Sequence, residues 1–433
     1  MLGAGAAGLK VAFDLARKDV EVVVLEANDR VGGRVRTLLV GGERVDLGAE
    51  SFEAGEQSKW IAEFDELDLL PEGVAWVSPF SRVRDQAWWY PGGRLTSAHL
   101  DEVTSTPSAE AVNERFDRNV TSALDVAVAQ GVDLRTLEAR VAFAVSGSGA
   151  FSESIEPSFY SAQDRARNES PGEDARPFVD GKPYGVGRLF EEYAVALSKL
   201  RNVTICLPVR VVEMSARLER GWELRLADTT HYAFDALVVT PSVSVLTRPE
   251  FPWPRTIREQ VVAAFAGIEL GAYTKIAMHW PAAAAKFGKD AVLGFYTGPD
   301  GLPAWQVSKL ANSEVILVAL AGSRARDLSE SRALEQAIEL IQLITKADRF
   351  PQQMLVSNWN SAAVFGGAYS FSRVGAGAAR PGLQSALIEM YAPVGLFFAG
   401  EAFSLPLYGS LEATWYTGAD AAERCLRFLG IED

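Results

Sequence analysis

The N-terminal part of the chain shows a helical pattern followed by a strand pattern. Apolar residues recur at helical spacing at Leu9, Val11, Ala12 and Leu15. The stretch VEVVVLEA that follows, residues 20–27, is a β-branched run bounded by charged residues, as expected of a buried parallel strand. The order predicted for this region is therefore a turn, a helix and a strand.

Similar patterns return twice. The stretch ARPFVDGKPYGVGRLFEEYAVALSKL predicts a glycine-rich loop and an amphipathic helix that ends near Leu200. After it, NVTICLPVRVVEMSARLERGWELRLAD predicts three short strands, and HYAFDALVVTPS predicts one more strand that ends at a Thr-Pro break. The last segment, from VGLFFAGEAF onward, predicts a strand, a long loop and a helix. Between these parts lie a polar helical stretch and a mixed region.

This alternation predicts an α/β protein whose nucleotide-binding domain is assembled from discontinuous segments. We expect two domains, because 433 residues are too many for one simple core. This Rossmann-type nucleotide-binding domain is expected to comprise residues 1–75, 190–250 and 385–433. A substrate domain of mixed sheet and helices is expected to comprise residues 76–189 and 251–384, with a helical insertion near 105–145.

Composition narrows the classes of function. A net charge of −14 with no long basic run disfavours a nucleic-acid partner. The two cysteines and three histidines show no disulfide or metal-ligand spacing, so we expect no metal site. We see neither a signal peptide nor an apolar run of the ~20 residues needed to span a bilayer. We therefore predict a cytoplasmic protein with no membrane partner.

Three glycines at the start of the chain predict a dinucleotide site. Gly3, Gly5 and Gly8 match the pattern G-x-G-x-x-G, and Glu26 ends the next predicted strand, where an acid can bind a ribose hydroxyl. The helix N-terminus adds partial positive charge for the phosphates. Only two residues precede Gly3, whereas a first strand needs about 5. We therefore expect residues in front of the given chain.

The block LEANDRVGGRVRT resembles the flavin amine oxidase family, which includes monoamine, polyamine and amino-acid oxidases and carries E-A-x-x-R-x-G-G-R after its second strand. The resemblance implies FAD as cofactor. It places Glu26 and Ala27 in contact with FAD, Gly33 close to the flavin and Arg34 close to the pyrophosphate. The role suits Arg34 physically, because a guanidinium matches phosphate oxygens.

Further family motifs follow in the expected order along nearly the whole chain, except for about 80–180. VDLGAESFEAG resembles the element whose backbone lines the isoalloxazine, LPVRVVEM the strand next to the adenine, and ALVVTP a strand ending at Pro241. GLFFAGEAFS and YGSLEATWYTGADAA resemble the C-terminal signature. The cofactor contacts implied by these motifs are Gly48, Ala49, Glu50, Val209, Gly400, Glu401 and Leu411.

The resemblance also implies a set of residues around the reacting amine. LGAYTKIAMHW places Lys275 where the family has a lysine that binds a water facing flavin N5, and SNWNSAAVFGGAYS places Trp359 and Tyr369 at the substrate. Each has a plainer alternative: Lys275 as a surface lysine on a strand, and the two aromatics as core residues. Glu412 is expected to cap a helix or form an internal ion pair rather than to act in catalysis.

Departures from the family pattern sharpen the prediction. Monoamine oxidases attach FAD through a cysteine, but Ala368 stands at that position, so FAD is expected to be noncovalent. Ser410 replaces the second tyrosine of their aromatic cage, which leaves Tyr369 alone unless Tyr408 or Phe403 completes it. After the D-L-G-A stretch no arginine follows, which disfavours an α-amino-acid substrate.

An acid follows that stretch instead. Glu53 stands where plant-type polyamine oxidases carry a carboxylate, which could hold an ammonium; a solvated loop acid is the alternative. We predict an enzyme that oxidises the C–N bond of an amine to an imine by hydride transfer to flavin N5, with Lys275, Tyr369, Trp359 and Glu53 as its catalytic residues. Dioxygen would reoxidise the flavin and yield hydrogen peroxide.

The fate of the imine stays open between hydrolysis and trapping by a nucleophile in a biosynthetic tailoring reaction. The first alternative function is an FAD-dependent C–C desaturase or a protoporphyrinogen-oxidase-like enzyme. The second is a non-catalytic flavoprotein scaffold. The substrate and the oligomeric state also stay open, with a homodimer as one alternative.

Overall fold

The computed structural model describes eleven parts of the chain: residues 1–53, 55–79, 87–90, 93–96, 121–129, 135, 150–168, 174–217, 220–297, 303–360 and 365–431. Most of the helical insertion predicted near 105–145 lies outside these residues. Within them, Ala123–Ala129 forms a helix.

A parallel sheet occupies the centre of the nucleotide-binding domain. Val22–Leu25 pairs in parallel with Val203–Cys206, and Leu237–Val239 pairs in parallel with Leu396–Phe398. Leu2 joins the two pairs, because it bridges to Leu25 on one side and to Val239 on the other. The backbone N–H of Leu2 lies 2.9 Å from the carbonyl of Val238. Leu2, directly before the glycine turn, therefore makes the pairings that the first strand of such a sheet would make.

Three helices pack around this sheet: Ala6–Ala16, Val186–Ser198 and Leu411–Leu429. The first and the last lie so close that a Cβ on Gly418 would meet the carbonyl oxygen of Ala7 at 3.0 Å. The core between them contains Leu9, which is fully buried, with the aromatic side chains of Phe13, Trp60, Phe64, Phe190 and Tyr193. Burial of these rings supplies a large apolar area to this domain.

One predicted strand is two strands. HYAFDALVVTPS forms His231–Phe234, which pairs antiparallel with Trp222–Leu226, and then Leu237–Val239 in the parallel sheet. The prediction of a single strand was wrong, because the run passes from an antiparallel hairpin to a different sheet and the pairing breaks at Asp235. The other strands and helices predicted around it are present.

The second domain is built on a seven-stranded sheet. Its strands, in spatial order, are Gln353–Asn358, Tyr273–His279, Val315–Ala321, Pro303–Lys309, Val292–Thr297, Ala87–Tyr90 and Gly93–Thr96. The helix Glu330–Thr345 packs on one face over a core that includes Ile276, Val307 and Val318. The strand Tyr273–His279 has a partner on both sides, so its side chains keep a fixed register relative to both neighbours.

Smaller sheets and helices complete the described chain. The remaining strands are Thr37–Val40, Glu43–Asp46, Ala75–Val77, Arg176–Val179, Lys182–Pro183, Val211–Ala216, Ile268–Leu270 and Ser370–Ser372. The remaining α-helices are Lys59–Glu66, Ala150–Glu153, Ala162–Arg165, Val243–Leu246, Arg255–Ala264, Pro281–Phe287, Ser323–Asp327 and Ala379–Leu383. A π-helical turn covers Gln384–Glu389, and 3₁₀ turns cover Gly55–Gln57, Ala392–Val394 and Glu401–Phe403.

None of the helices in the described ranges combines the length and the apolar character needed to cross a bilayer.

Candidate active site

One cavity of about 910 Å³ extends from the glycine turn to the seven-stranded sheet of the second domain. Its volume falls in the range of cofactor and small-molecule sites. Every residue predicted to bind the cofactor or the amine lies on its wall: Gly3, Gly5, Gly8, Glu26, Ala27, Gly33, Arg34, Gly48, Ala49, Glu50, Glu53, Val209, Lys275, Trp359, Tyr369, Gly400, Glu401 and Leu411. The structure thus brings these residues together, while their individual roles stay predictions.

The glycine turn has room for a ligand only because it lacks side chains. Gly3 has a φ of +100°, and a Cβ on Gly8 would lie 2.1 Å from the carbonyl oxygen of Gly3. A Cβ on Gly33 would approach the Cα of Gly5 to 3.1 Å. Gly5 is also the N-cap residue of the first helix, and as a glycine it makes no side-chain hydrogen bond to the first turn of that helix. A tight glycine turn at the N-terminus of a helix fits the pyrophosphate of a dinucleotide.

Glu26 stands beside this cradle with its orientation set by the backbone. One carboxylate oxygen accepts the N–H of Ala4 at 2.7 Å, and the other accepts the N–H of Asn28 at 2.8 Å. The carbonyl of Glu26 accepts the N–H of Val209 at 2.7 Å, which brings the two residues predicted at the adenosine end to the same place. The side chain is buried at the cavity wall, and its predicted contact with a ribose stays a prediction.

Arg34 and Glu401 form an ion pair in the middle of the cavity wall, with a separation of 2.9 Å. Arg34 also donates to the carbonyl of Ala368. The second oxygen of Glu401 accepts the Ser370 hydroxyl at 2.6 Å and the N–H of Gly409 at 3.1 Å. Burial alone would raise the pKa of Glu401, but the charge of Arg34 and the Ser370 hydrogen bond lower it. Glu401 therefore stays ionised and joins three segments of the wall.

Lys275 lies on the strand Tyr273–His279 and is 6% exposed, which excludes the alternative of a surface lysine. Its ammonium donates to the carbonyl of Gly48 and to a carboxylate oxygen of Glu50, each at 2.8 Å. The other oxygen of Glu50 lies 2.9 Å from Arg176. Trp359 is buried beside this group and donates to the carbonyl of Leu47 at 2.9 Å.

Glu53 lies at the N-terminus of the last helix, where its carboxylate accepts the N–H of Leu411 at 3.2 Å. Burial and the negative charges of Asp174 and Glu412 raise the pKa of Glu53 to about 8. A carboxyl group with such a pKa exchanges its proton near neutral pH, which suits a group that meets an amine. Glu53 lines the cavity, and its role stays a prediction.

Aromatic side chains also line the cavity. Tyr369 donates to the carbonyl of Phe151 at 2.9 Å, and its ring centroid lies 6.4 Å from that of Tyr273. Tyr408 lines the cavity as well. Phe403 instead packs against Phe265 and Phe398 in a separate core. Of the two residues considered as completing the aromatic cage, only Tyr408 reaches the cavity.

Sequence reasoning missed an acidic and a basic residue on the cavity wall. Glu153 is 3% exposed and lies 3.0 Å from Arg165, and both line the cavity. Burial raises the pKa of Glu153 to about 7, against the opposing charge of Arg165. Asp174 and Tyr273 also line the cavity. Glu153, Arg165 and Asp174 belong to the stretch that matches no family motif, so no pattern in the sequence pointed to them.

Glu412 has the structural role expected of it. Its carboxylate accepts the hydroxyl of Ser58 and the N–H of Lys59 at 3.1 Å, at the first turn of the helix Lys59–Glu66. It therefore joins that helix to the last one.

The family is shown by comparison with known proteins. A family model described as flavin-containing amine oxidoreductase matches residues 6–426, so the chain belongs to that family. It is 27% identical over 454 residues to polyamine oxidase 4 of Oryza sativa subsp. japonica, covering 98% of this chain and 88% of that protein. Polyamine oxidase 2 of Arabidopsis thaliana is 25% identical over 460 residues, covering 98% and 87%.

Solved structures show the same fold. Wild-type putrescine oxidase bound to putrescine superimposes with a TM-score of 0.70 at 19% identity, covering 98% of each chain. A variant of that enzyme made to redesign cofactor binding gives a TM-score of 0.73 at 17% identity, again covering 98% of each chain. The predicted two-domain α/β fold is thereby confirmed.

The protein is a flavin-dependent amine oxidase, as predicted, and its cofactor is FAD. The cavity fits this cofactor, because the glycine turn, the Glu26 carboxylate and the Arg34 guanidinium all line its wall. Ala368 offers no sulfur for a covalent link, in agreement with noncovalent binding. The alternatives of a C–C desaturase and of a non-catalytic scaffold are not favoured by relatives that are polyamine oxidases.

Proposed function

We propose that the enzyme oxidises a C–N bond of a diamine or polyamine to an imine, and that dioxygen is reduced to hydrogen peroxide. One observation carries this proposal: a single cavity joins the glycine cradle to a wall that holds both Lys275 and the acids Glu53, Glu153 and Asp174. The names of the polyamine oxidases and of putrescine oxidase support the same class of substrate.

When bound, FAD supplies the acceptor for two electrons, taken as a hydride from the carbon beside the amine nitrogen. The side chains of the cavity provide everything else. Lys275 holds a positive charge on the wall, where it can bind a water and move a proton. Trp359 and Tyr369 bound the space for the reacting amine, and their rings attract it while it is a cation.

Glu53 has two tasks in this proposal. As a carboxylate it pairs with an ammonium group of the substrate, and with a pKa of about 8 it can take a proton from that group. Loss of the proton matters, because only a neutral amine has the nitrogen lone pair that stabilises the developing imine. Tyr408 and Tyr273 add two further rings to the wall of the cavity.

The domain boundaries at 75/76, 189/190, 250/251 and 384/385 and a cytoplasmic location are proposed on sequence grounds. No arginine stands in the stretch VDLGAESFEAG, which supports a substrate amine without an α-carboxylate. Arg165 lies on the cavity wall, but it is paired there with Glu153.

An anaerobic titration of the purified enzyme tests this proposal. The flavin absorbance is followed as a diamine, a polyamine, a monoamine, an amino acid and an N-acylated amine are added in turn. We expect the diamine and the polyamine to bleach the oxidised bands at the lowest concentrations. Admission of air should restore the bands and release hydrogen peroxide. Bleaching by the amino acid alone, or by no amine, would contradict the proposal.

A further inference from the structure

Glu50 makes contacts that go beyond the backbone contact with the flavin expected for its position. Its carboxylate lies between two cations: one oxygen is 2.8 Å from the ammonium of Lys275, and the other is 2.9 Å from Arg176. Lys275 is nearly buried, with 8% of its side chain exposed, while Glu50 is 26% exposed at the cavity wall. The carboxylate is therefore shared between a residue predicted to act in catalysis and one that is not.

The backbone brings Arg176 to this place. Phe52 and Ala175 exchange both of their backbone hydrogen bonds, at 2.9 Å and 3.0 Å, so the stretch after Glu50 is paired with the residues just before Arg176. Arg176 in turn begins the strand Arg176–Val179. The position of the guanidinium is thus set by two paired segments that lie 126 residues apart in the chain.

The two cations keep Glu50 ionised. Burial alone would raise its pKa, but the charges of Arg176 and Lys275 and their hydrogen bonds lower it to about 2. At any pH at which the enzyme would be assayed, Glu50 is a carboxylate with each oxygen engaged by one cation.

These contacts restrict Lys275. A lysine ammonium has three N–H donors on a flexible stem. Two of the three are used by Glu50 and by the carbonyl of Gly48. Among the described residues these are the two hydrogen bonds of the ammonium, which also lies 5.9 Å from the centroid of the Tyr273 ring. Without Glu50 the ammonium would be held by one carbonyl and could rotate away.

We propose that Glu50, held by Arg176, is a positioning residue that fixes the ammonium of Lys275 at the cavity wall. The proposal rests on the proposed function for the role of Lys275, but the contact itself does not depend on it. It differs from a purely structural ion pair in one respect: the effect of removing Glu50 on the flavin chemistry must pass through Lys275.

The first experiment measures the accessibility of the amine of Lys275 directly. Wild type and E50Q, each with and without FAD, are treated with trace acetic anhydride at fixed pH, and the labelling rate of each lysine is read by mass spectrometry. We expect Lys275 to label about tenfold faster in E50Q, because it has lost its ion-pair partner. Lys10, a buried lysine paired with Glu63 at 2.7 Å, should change less than about twofold and serves as an internal control.

The second experiment is a double-mutant cycle of wild type, E50Q, K275M and the double variant. The flavin is reduced with dithionite, and its reoxidation by dioxygen is followed in a stopped-flow instrument. We expect E50Q to slow reoxidation about tenfold when Lys275 is present and less than about twofold when it is methionine. Arg176→Gln should slow reoxidation in the same way but to a smaller extent than E50Q. Arg176→Lys keeps the positive charge and should reoxidise at a rate close to that of wild type.

The outcomes separate this proposal from the proposed function. Unchanged labelling of Lys275 in E50Q, or effects of E50Q and K275M that multiply independently, would overturn the positioning role. Neither result depends on an amine, because dithionite supplies the electrons. If E50Q does not fold, E50D keeps the charge with a shorter reach and should show an intermediate labelling rate; a rate equal to that of wild type would also overturn the proposal.

Discussion

The two ends of the cavity are built in different ways. At the cofactor end, the glycine turn, Glu26 and Arg34 lie within the first 34 residues, and the backbone does most of the shaping. At the amine end, the wall combines side chains from distant segments, among them Glu53, Lys275 and Tyr369. The shape of the cofactor end depends on positions without side chains. The shape of the amine end depends on contacts between side chains.

This difference explains what each end tolerates. A backbone cradle fails when any Cβ is added at its narrow points, whatever the chemistry of the new side chain. A wall of side chains fails by degrees, because each contact contributes a limited free energy of about 1–3 kcal/mol when a charge is involved. Four predictions test this contrast, from the largest expected effect to the smallest.

At the cofactor end, Gly8→Ala places a Cβ 2.1 Å from the carbonyl oxygen of Gly3. The turn has to open, and we expect the dissociation constant for FAD to rise by about 100-fold or more. Fluorescence quenching of added FAD measures it. The matched control is Gly382→Ala, because a Cβ there meets nothing within 4 Å. Equal FAD affinity in both variants would break the proposed contrast.

At the amine end, Lys275→Met removes the charge while keeping a side chain of similar length. We expect reoxidation of the flavin by dioxygen to slow by about 100-fold, because a positioned proton donor is lost. Stopped-flow absorbance measures the rate, and the affinity for FAD should stay within about threefold of wild type. The exposed Lys199→Met is the control for loss of one lysine. A large loss of FAD affinity in Lys275→Met would show that the two ends are not separable.

Glu53→Gln tests recognition of the substrate charge. A neutral amide cannot pair with an ammonium, so we expect kcat/KM for a diamine to fall by about 10-fold or more. For a monoamine of similar size the loss should be smaller, because it has no second ammonium group. Steady-state peroxide release over a series of amines checks this. An equal loss for both substrates would assign Glu53 a role only at the reacting amine.

The stability of the protein should report the same carboxyl group. The pKa of Glu53 is raised from 4.5 to about 8 on folding, so its protonated form favours the folded state. Its contribution to the free energy of unfolding is complete below about pH 4.5 and is lost as the pH rises through 8. Glu53→Gln should therefore gain about 1–2 °C in Tm relative to wild type at pH 8.5 compared with pH 5. A difference that does not change with pH would contradict the raised pKa.

Sequence reasoning succeeded where a requirement is local. The glycine turn and Glu26 form a short pattern whose spacing follows from the geometry of a strand, a turn and a helix. It failed where pairing between distant segments decides. HYAFDALVVTPS was predicted as one strand, because nothing in its apolar pattern shows that its halves join different sheets. The ion pair of Glu50 with Arg176, 126 residues apart in the chain, is of the same kind.

The last helix relates the two ends of the cavity by a fixed length. It begins beside Glu53 and, with 19 residues, is about 28 Å long. Partway along, Gly418 lies against the first helix, which begins at the glycine turn. The helix thus links the region of Glu53 to the first helix, because Leu411 and Gly418 lie on it seven residues, about 10 Å, apart. We expect a larger residue there to push the two helices apart, because a Cβ at Gly418 already meets the carbonyl oxygen of Ala7 at 3.0 Å. For engineering, Gly418 is therefore a position that acts on the spacing of two helices whose first turns both lie at the cavity.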